Sequence, residues 1–450
     1  MRSQILWKTA LGVIAASTLA AQTDPGPRIV PAEATTALAG LTAAEEVSFK
    51  EGLARFREVV SVSGTEPGAT GKGLGPRFNL NSCAGCHAQP SVGGTSPRQN
   101  PQIAMAKQYG AANALPDFIK LDGPVRVVRF AGGRGAPPPP PPGRGGQGGR
   151  GGRGGRGGGP DGGVHNLFVV TGRNDAAGCN LTQPDFAGAV ARNNAFFRIP
   201  TPVYGAGLIE AVSEESIVSA LRSDRRFKDS LGVGGHENRS QNDGSITRFG
   251  WKAQNPSLVV FAGEALNVEE GVTNEQFPHE RETAPGCSFA ASPEDRADRN
   301  SATVLAGFMR LLAAPAPGPV TESTERGRQS FTSIGCATCH TPSLRTGKSD
   351  IAALNEKPVT LYSDLAVHNM GQGLEDFIDQ GRARGRDWRT APLWGLGQRI
   401  YFLHDGRTGD LAQAIKEHGS EGSEGYQTTA RYNALTVEQK QDLLNFLRSL

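Results

Sequence analysis

The chain has 450 residues, of which 37% are apolar and 6% aromatic, with 60 Gly and 30 Pro: long enough for two loop-rich domains and too polar for a membrane bundle. Its 47 Lys and Arg face 44 Asp and Glu. Arg2 and Lys8 lie in an apparent leader and Arg134, Arg144, Arg150, Arg153 and Arg156 in one low-complexity stretch, so the remainder is mildly acidic at 40 against 44, which excludes a charge argument for nucleic-acid binding.

Residues 1–21 read as a secretory signal: Arg2 and Lys8, an apolar run Ala10–Ala16, then small residues to Ala21. The run is too short to cross a bilayer, so no membrane span is expected after its removal. Residues 22–40 are rich in Pro and Ala and read as a tether. Thr42 with Glu45 three residues on forms a capping box, and Phe49, Leu53, Phe56 and Val60 then share a face.

The first chemical motif is Cys83-Ala84-Gly85-Cys86-His87, and it recurs once at Cys336-Ala337-Thr338-Cys339-His340. Two cysteines three apart, with His directly after, match the attachment of a c-type haem. Each thiol adds across a porphyrin vinyl group and the imidazole ligates the iron. A lone copy could be a redox or zinc dithiol. Two copies on an exported chain predict two covalently bound haems, with Cys83, Cys86, Cys336 and Cys339 as thioether residues and His87 and His340 as iron ligands.

Val125–Phe130 reads as a strand, with Val125, Val127 and Arg129 alternating against Arg126, Val128 and Phe130. Residues 132–163, with six consecutive prolines and Gly-Gly-Arg units, cannot offset their ordering entropy and read as a disordered insertion. His165–Arg173 resumes as a strand. Cys179 and Cys287 are left over from the haem motifs. In an oxidising compartment they are a disulfide candidate, or else two separate buried thiols.

Thr201-Pro202-Val203-Tyr204-Gly205-Ala206-Gly207 is echoed by Ala391-Pro392-Leu393-Trp394-Gly395-Leu396-Gly397. Phe249-Gly250-Trp251-Lys252 is echoed by Phe402-Leu403-His404-Asp405, and each leads into a short helical pattern, from Leu258 and from Leu411. The same order twice reads as an internal duplication. Ala302–Leu312 reads as a helix, Ala313–Pro319 as a boundary, and a helix from Thr436 closes the chain. His418 continues the apolar face of Leu411, Ala414 and Ile415, so it should point inward, toward the second haem. Met370 is its rival as sixth ligand, and His404 reads as a haem neighbour.

With these stretches in view, the chain resembles the bacterial di-haem cytochrome c peroxidase superfamily, and within it the branch called di-haem oxidoreductase, putative peroxidase. The resemblance implies a mainly α fold of two cytochrome c-like haem domains with long loops and a few short strands, here 41–315 and 316–450. It implies electrons passing from the C-terminal haem to a reactive N-terminal haem. It places the catalytic carboxylate at Glu269, in the turn Asn267–Gly271, with Glu270 as the alternative by one register. It places Trp251 between the haems and His418 at the sixth position of the second iron, where relatives carry Met or Tyr. Where the family's peroxidases have a Gln, this chain has Val259. A calcium ion between the haem domains, a periplasmic location, a small cytochrome or cupredoxin as electron donor, and peroxide or another small molecule as substrate are further implications. The alternative function is a di-haem electron-transfer cytochrome without peroxide turnover. Met105, His165, His236 and His279 are the candidates to close the first iron in that case.

Overall fold

The computed structural model describes residues 22–29, 35–131, 164–278, 282, 284–289 and 301–450. The leader 1–21, the whole insertion 132–163, and His279 lie outside the described residues.

The chain is mostly helical, and two crossed helix pairs frame it. The helix Ala43–Arg57 packs on Ser301–Leu311, and the helix Glu322–Ile334 packs on Val437–Ser449. Each crossing is tight because a glycine sits at the contact. A Cβ on Gly52 would strike Val304 O and Phe308, and one on Gly327 would strike the backbone of Asp442 and the Phe446 side chain. The capping boxes expected at Thr42–Glu45 and Thr436–Gln439 both form. Phe49, Phe56 and Phe308 fill the first crossing, and Phe331, Leu443 and Phe446 fill the second.

Strands are short and make five small sheets among the described residues. The expected strand Val125–Phe130 shrinks to Val127–Arg129, central in a sheet with Val164–His165 and Phe196–Arg198. Val125 N and Arg126 N instead donate to the side chains of Ser96 and Gln102. His165–Arg173 is not one strand. Val164–His165 and Phe168–Val169 join different sheets. Between them Asn166 Nδ2 bonds to Val268 O and Leu167 N donates to Asn79 Oδ1, so side-chain contacts replace the ladder.

The two aromatic turns fold alike. Phe249 bridges Asn255, and Phe402 bridges Thr408. Gly205 and Gly395 both take left-handed φ values, +63° and +69°, before a helical turn.

Residues 22–29, expected within a tether, lie along the C-terminal helix. Asp24 pairs with Arg448 at 2.6 Å, and Arg28 donates to Leu450 O at 2.9 Å. No helix among the described residues is long and apolar enough to cross a membrane.

Cys179 and Cys287 form a disulfide across a separation of 108 residues. Both are buried, in the cluster that includes Phe78, Phe168 and Phe186. Changing both to Ala should lower unfolding stability by ~2–5 kcal/mol, read by denaturant titration. An unchanged midpoint would contradict a stabilising role.

Candidate functional site

Two cavities hold the sequence-predicted residues. The first has an empty volume of about 1150 Å³ and is lined by Cys83, Cys86, His87, Trp251, Glu264, Glu269 and Glu270, among others. The second, of about 1500 Å³, is lined by Cys336, Cys339, His340, Met370, His404 and His418, among others. Their walls are mostly apolar side chains.

A single helical turn, Cys83–Cys86, carries His87 at its end. His87 Nδ1 lies 3.0 Å from the Gly94 carbonyl. A carbonyl can only accept, so Nδ1 holds the proton and Nε2 is left bare. Burial pushes the His87 pKa down to about 4, so the ring is neutral, as a metal ligand must be. Phe56 packs edge-on to the ring at 5.7 Å. His340 repeats the arrangement. Its Nδ1 lies 3.0 Å from Tyr362 O, and burial again pushes its pKa down to about 4. Burial also raises the thiols: Cys83 well above its usual value and Cys336 to about 12.

The helix Leu258–Glu269 starts at Ser257, whose side chain accepts from Val260 N. It runs three residues into the expected turn, so Glu269 is its last helical residue. Glu269 Oε2 accepts from Asn79 Nδ2 at 3.0 Å, and its carbonyl accepts from Asn79 N at 2.7 Å. Gly271, at φ +68°, closes the turn where a Cβ would run into Arg77 O. The carboxylate is thereby tied to the segment just before the first motif. The three glutamates do not form a solvated charge run. Glu264 and Glu270 are buried. Glu264 bonds to Asn255 Nδ2. Glu270 sits 3.5 Å from Cys83 Sγ and 3.9 Å from Arg55, and burial raises its pKa despite that arginine.

Trp251 lines both cavities. Its Nε1 donates to Ile199 O at 2.8 Å. Its ring meets His404 edge-on at 6.4 Å, and His404 stacks on Trp388 at 3.7 Å. Lys252 Nζ stands 4.0 Å over Trp388, and Asp376 pairs with both Lys252 and Arg198. Val259, on the helix Leu258–Glu269, packs partly buried against the core, whereas Gln254 brings an amide to the first cavity.

His418 is the C-cap of the helix Leu411–Glu417, which Asp410 starts by accepting from Ala412 N and Gln413 N. His418 Nδ1 lies 2.7 Å from Ala414 O, which leaves Nε2 bare on the same cavity as His340. Met370 lines that cavity too, with its carbonyl held by Ser420 Oγ at 2.9 Å.

Met105, His165 and His236 do not line the first cavity. Met105 is core. His165 stacks on Phe130 at 3.9 Å, and His236 Nε2 lies 3.5 Å from Asp387. Met309 does line it, from the helix whose Phe308 packs on Phe56 next to His87.

Sequence reasoning missed Trp388, Gln254 and a buried cluster beside Cys339. There His368 bonds Asp364 at 3.0 Å and Glu424 at 2.8 Å. Trp388 had a signal, as an aromatic just before the second Pro-aromatic-Gly stretch. Glu424 had none, since it meets His368 across 56 residues.

The family described as di-haem oxidoreductase, putative peroxidase, matches residues 167–450. The chain belongs to it. This di-haem oxidoreductase is therefore a haem-dependent oxidoreductase of a family with two haem cofactors. The first motif lies ahead of the matched residues. No curated protein matches the chain. Among solved structures, a MauG-like protein associated with microbial copper homeostasis is 18% identical, with 54% of this chain and 91% of that one covered and a TM-score of 0.29. The diheme peroxidase BthA from Burkholderia thailandensis is 15% identical, with 56% and 86% covered and a TM-score of 0.29. Hydrazine synthase of Kuenenia stuttgartiensis is 12% identical over the full length of both chains, with a TM-score of 0.36.

The residues of this di-haem oxidoreductase fit two haems. Each cavity offers a thiol pair, a neutral imidazole next to it with a bare Nε2, and an apolar wall. Among the described residues no group of three or more His, Cys, Asp or Glu is arranged to hold a metal ion, and calcium remains an implication of the resemblance alone.

Proposed function

We propose that the protein is an exported peroxidase-like enzyme that binds one haem in each cavity through thioether bonds, at Cys83 and Cys86 and at Cys336 and Cys339. His87 and His340 are the proximal ligands. One observation carries the reading: each thiol pair shares a large apolar cavity with an imidazole whose Nδ1 is already spent on a carbonyl.

A bound haem pair supplies one-electron chemistry and, at an open coordination position, a place for peroxide to bind. The chain supplies the rest. Reduction of peroxide to two waters takes two electrons and two protons. Glu269 takes a proton from one peroxide oxygen and delivers it to the other, which leaves as water. Positioned acid/base groups typically contribute ~10²–10⁴-fold. Asn79, bonded to the carboxylate, fixes its direction. His418, whose bare Nε2 is on the cavity of His340, would be the second protein ligand of a haem held there, with Met370 the alternative. A haem held there would take electrons from a small periplasmic cytochrome or cupredoxin for use at the first cavity. Trp251, on the wall of both cavities, is the bridge.

Extraction with acid and acetone, followed by mass spectrometry, should leave two haems on the chain. Cys336→Ala with Cys339→Ala should leave one. A native chain stripped of haem by extraction contradicts thioether attachment.

A further inference from the structure

Arg389 and Arg399 both line the second cavity. Both also line a small gap next to it that Trp251 and Phe261 share with the first. They are near enough that the charge of Arg399 weighs on Arg389. Arg389 ends the strand Asp387–Arg389, and its backbone N donates to Trp251 O at 2.9 Å. Its Nη1 donates to Arg248 O at 2.8 Å, while its buried Nε has no partner among the described residues. Arg399 Nη2 donates to Pro392 O at 2.9 Å. No carboxylate lies within 4.0 Å of either guanidinium among the described residues. Three other buried arginines do have one, Arg173 with Asp175, Arg198 with Asp376 and Arg448 with Asp24, whereas buried Arg248 spends its guanidinium on the carbonyls of Ile209, Glu210, Val212 and Ile246.

A buried cation and a partly buried one beside each other, with no anion, are costly. Burial pulls both pKa values down to about 10. The missing negative charge must come from whatever fills the cavity. A haem carries two propionate carboxylates on one edge, and guanidinium groups bind carboxylates with paired N–H donors.

We propose that Arg389 and Arg399 hold the propionates of the C-terminal haem. This rests on the reading that the second cavity binds a haem. The clamp would hold the propionates beside the gap that Trp251 lines together with both arginines. The two cations also favour the reduced iron, which carries one more electron. They raise the potential of a haem that bis-histidine ligation would otherwise leave low.

The test is a spectroelectrochemical titration of the full-length protein with both haems counted. Arg399→Gln and Arg389→Gln should each move the second haem's oxidised/reduced balance at least tenfold toward oxidised, or 59 mV lower for one electron. The first haem should not move. Arg399→Lys, which keeps the charge, should recover most of the shift. Arg399 is only partly buried, so it carries the test if Arg389→Gln does not fold. An unmoved second midpoint in Arg399→Gln with two haems present overturns the clamp, as does Arg399→Lys behaving like Arg399→Gln. A chain with fewer than two haems overturns the underlying reading instead.

Discussion

Glu269→Gln should lower peroxide turnover at least ~100-fold, the lower end for a lost acid/base, while both haems stay attached. The substitution keeps size and the Asn79 contact but removes the proton carrier. His87 is not expected to replace it, because its Nδ1 is spent on Gly94 O and its Nε2 is the atom that would hold the iron. Glu270→Gln is the informative neighbour. Glu270 is buried against Cys83 and Arg55, so its loss should disturb folding or haem attachment more than turnover. Steady-state turnover with a chemical reductant, on variants matched for haem content, checks both. Wild-type-like turnover in Glu269→Gln, with the loss in Glu270→Gln, moves the acid by one residue. Turnover absent from the native protein under every reductant leaves the electron-transfer cytochrome.

His418→Ala should convert one haem from low spin to high spin, or admit an exogenous ligand, without changing the haem count. The reason is positional. Asp410 starts a two-turn helix, His418 caps its end, and Ala414 O orients the ring so that a bare Nε2 remains on the cavity of His340. The absorption spectrum with and without added imidazole reads the change. If His418→Ala leaves the spectrum intact and Met370→Ala alters it, the ligand is Met370.

Much of this was legible in the chain because covalent chemistry imposes fixed spacing. Both haem motifs, both capping boxes and the leftover cysteine pair are local or countable patterns. That Trp251 and His418 would reach the cavity walls was legible through the repeated order of aromatic turn and helix. The rest depended on long-range packing. Sequence could not show that Glu270 is buried on Cys83, since the contact spans 187 residues. It could not show that Arg389 and Arg399 lack carboxylates, because pairing is decided by which loops meet. The overlong strand at His165 failed for a related reason: Asn79 and Asn166 side chains take over bonds that an alternating pattern assigns to a ladder. The helix Leu258–Glu269 outran its expected end because nothing before Gly271 breaks it.

The central claim is a division of labour, with a first haem open to peroxide and a second haem closed by protein ligands. An electron paramagnetic resonance spectrum of the fully oxidised protein tests it most directly, since it counts high-spin and low-spin irons. The account predicts one of each, with the low-spin signal lost in His418→Ala. Two low-spin signals, the first haem staying low-spin after the second is reduced, would contradict it.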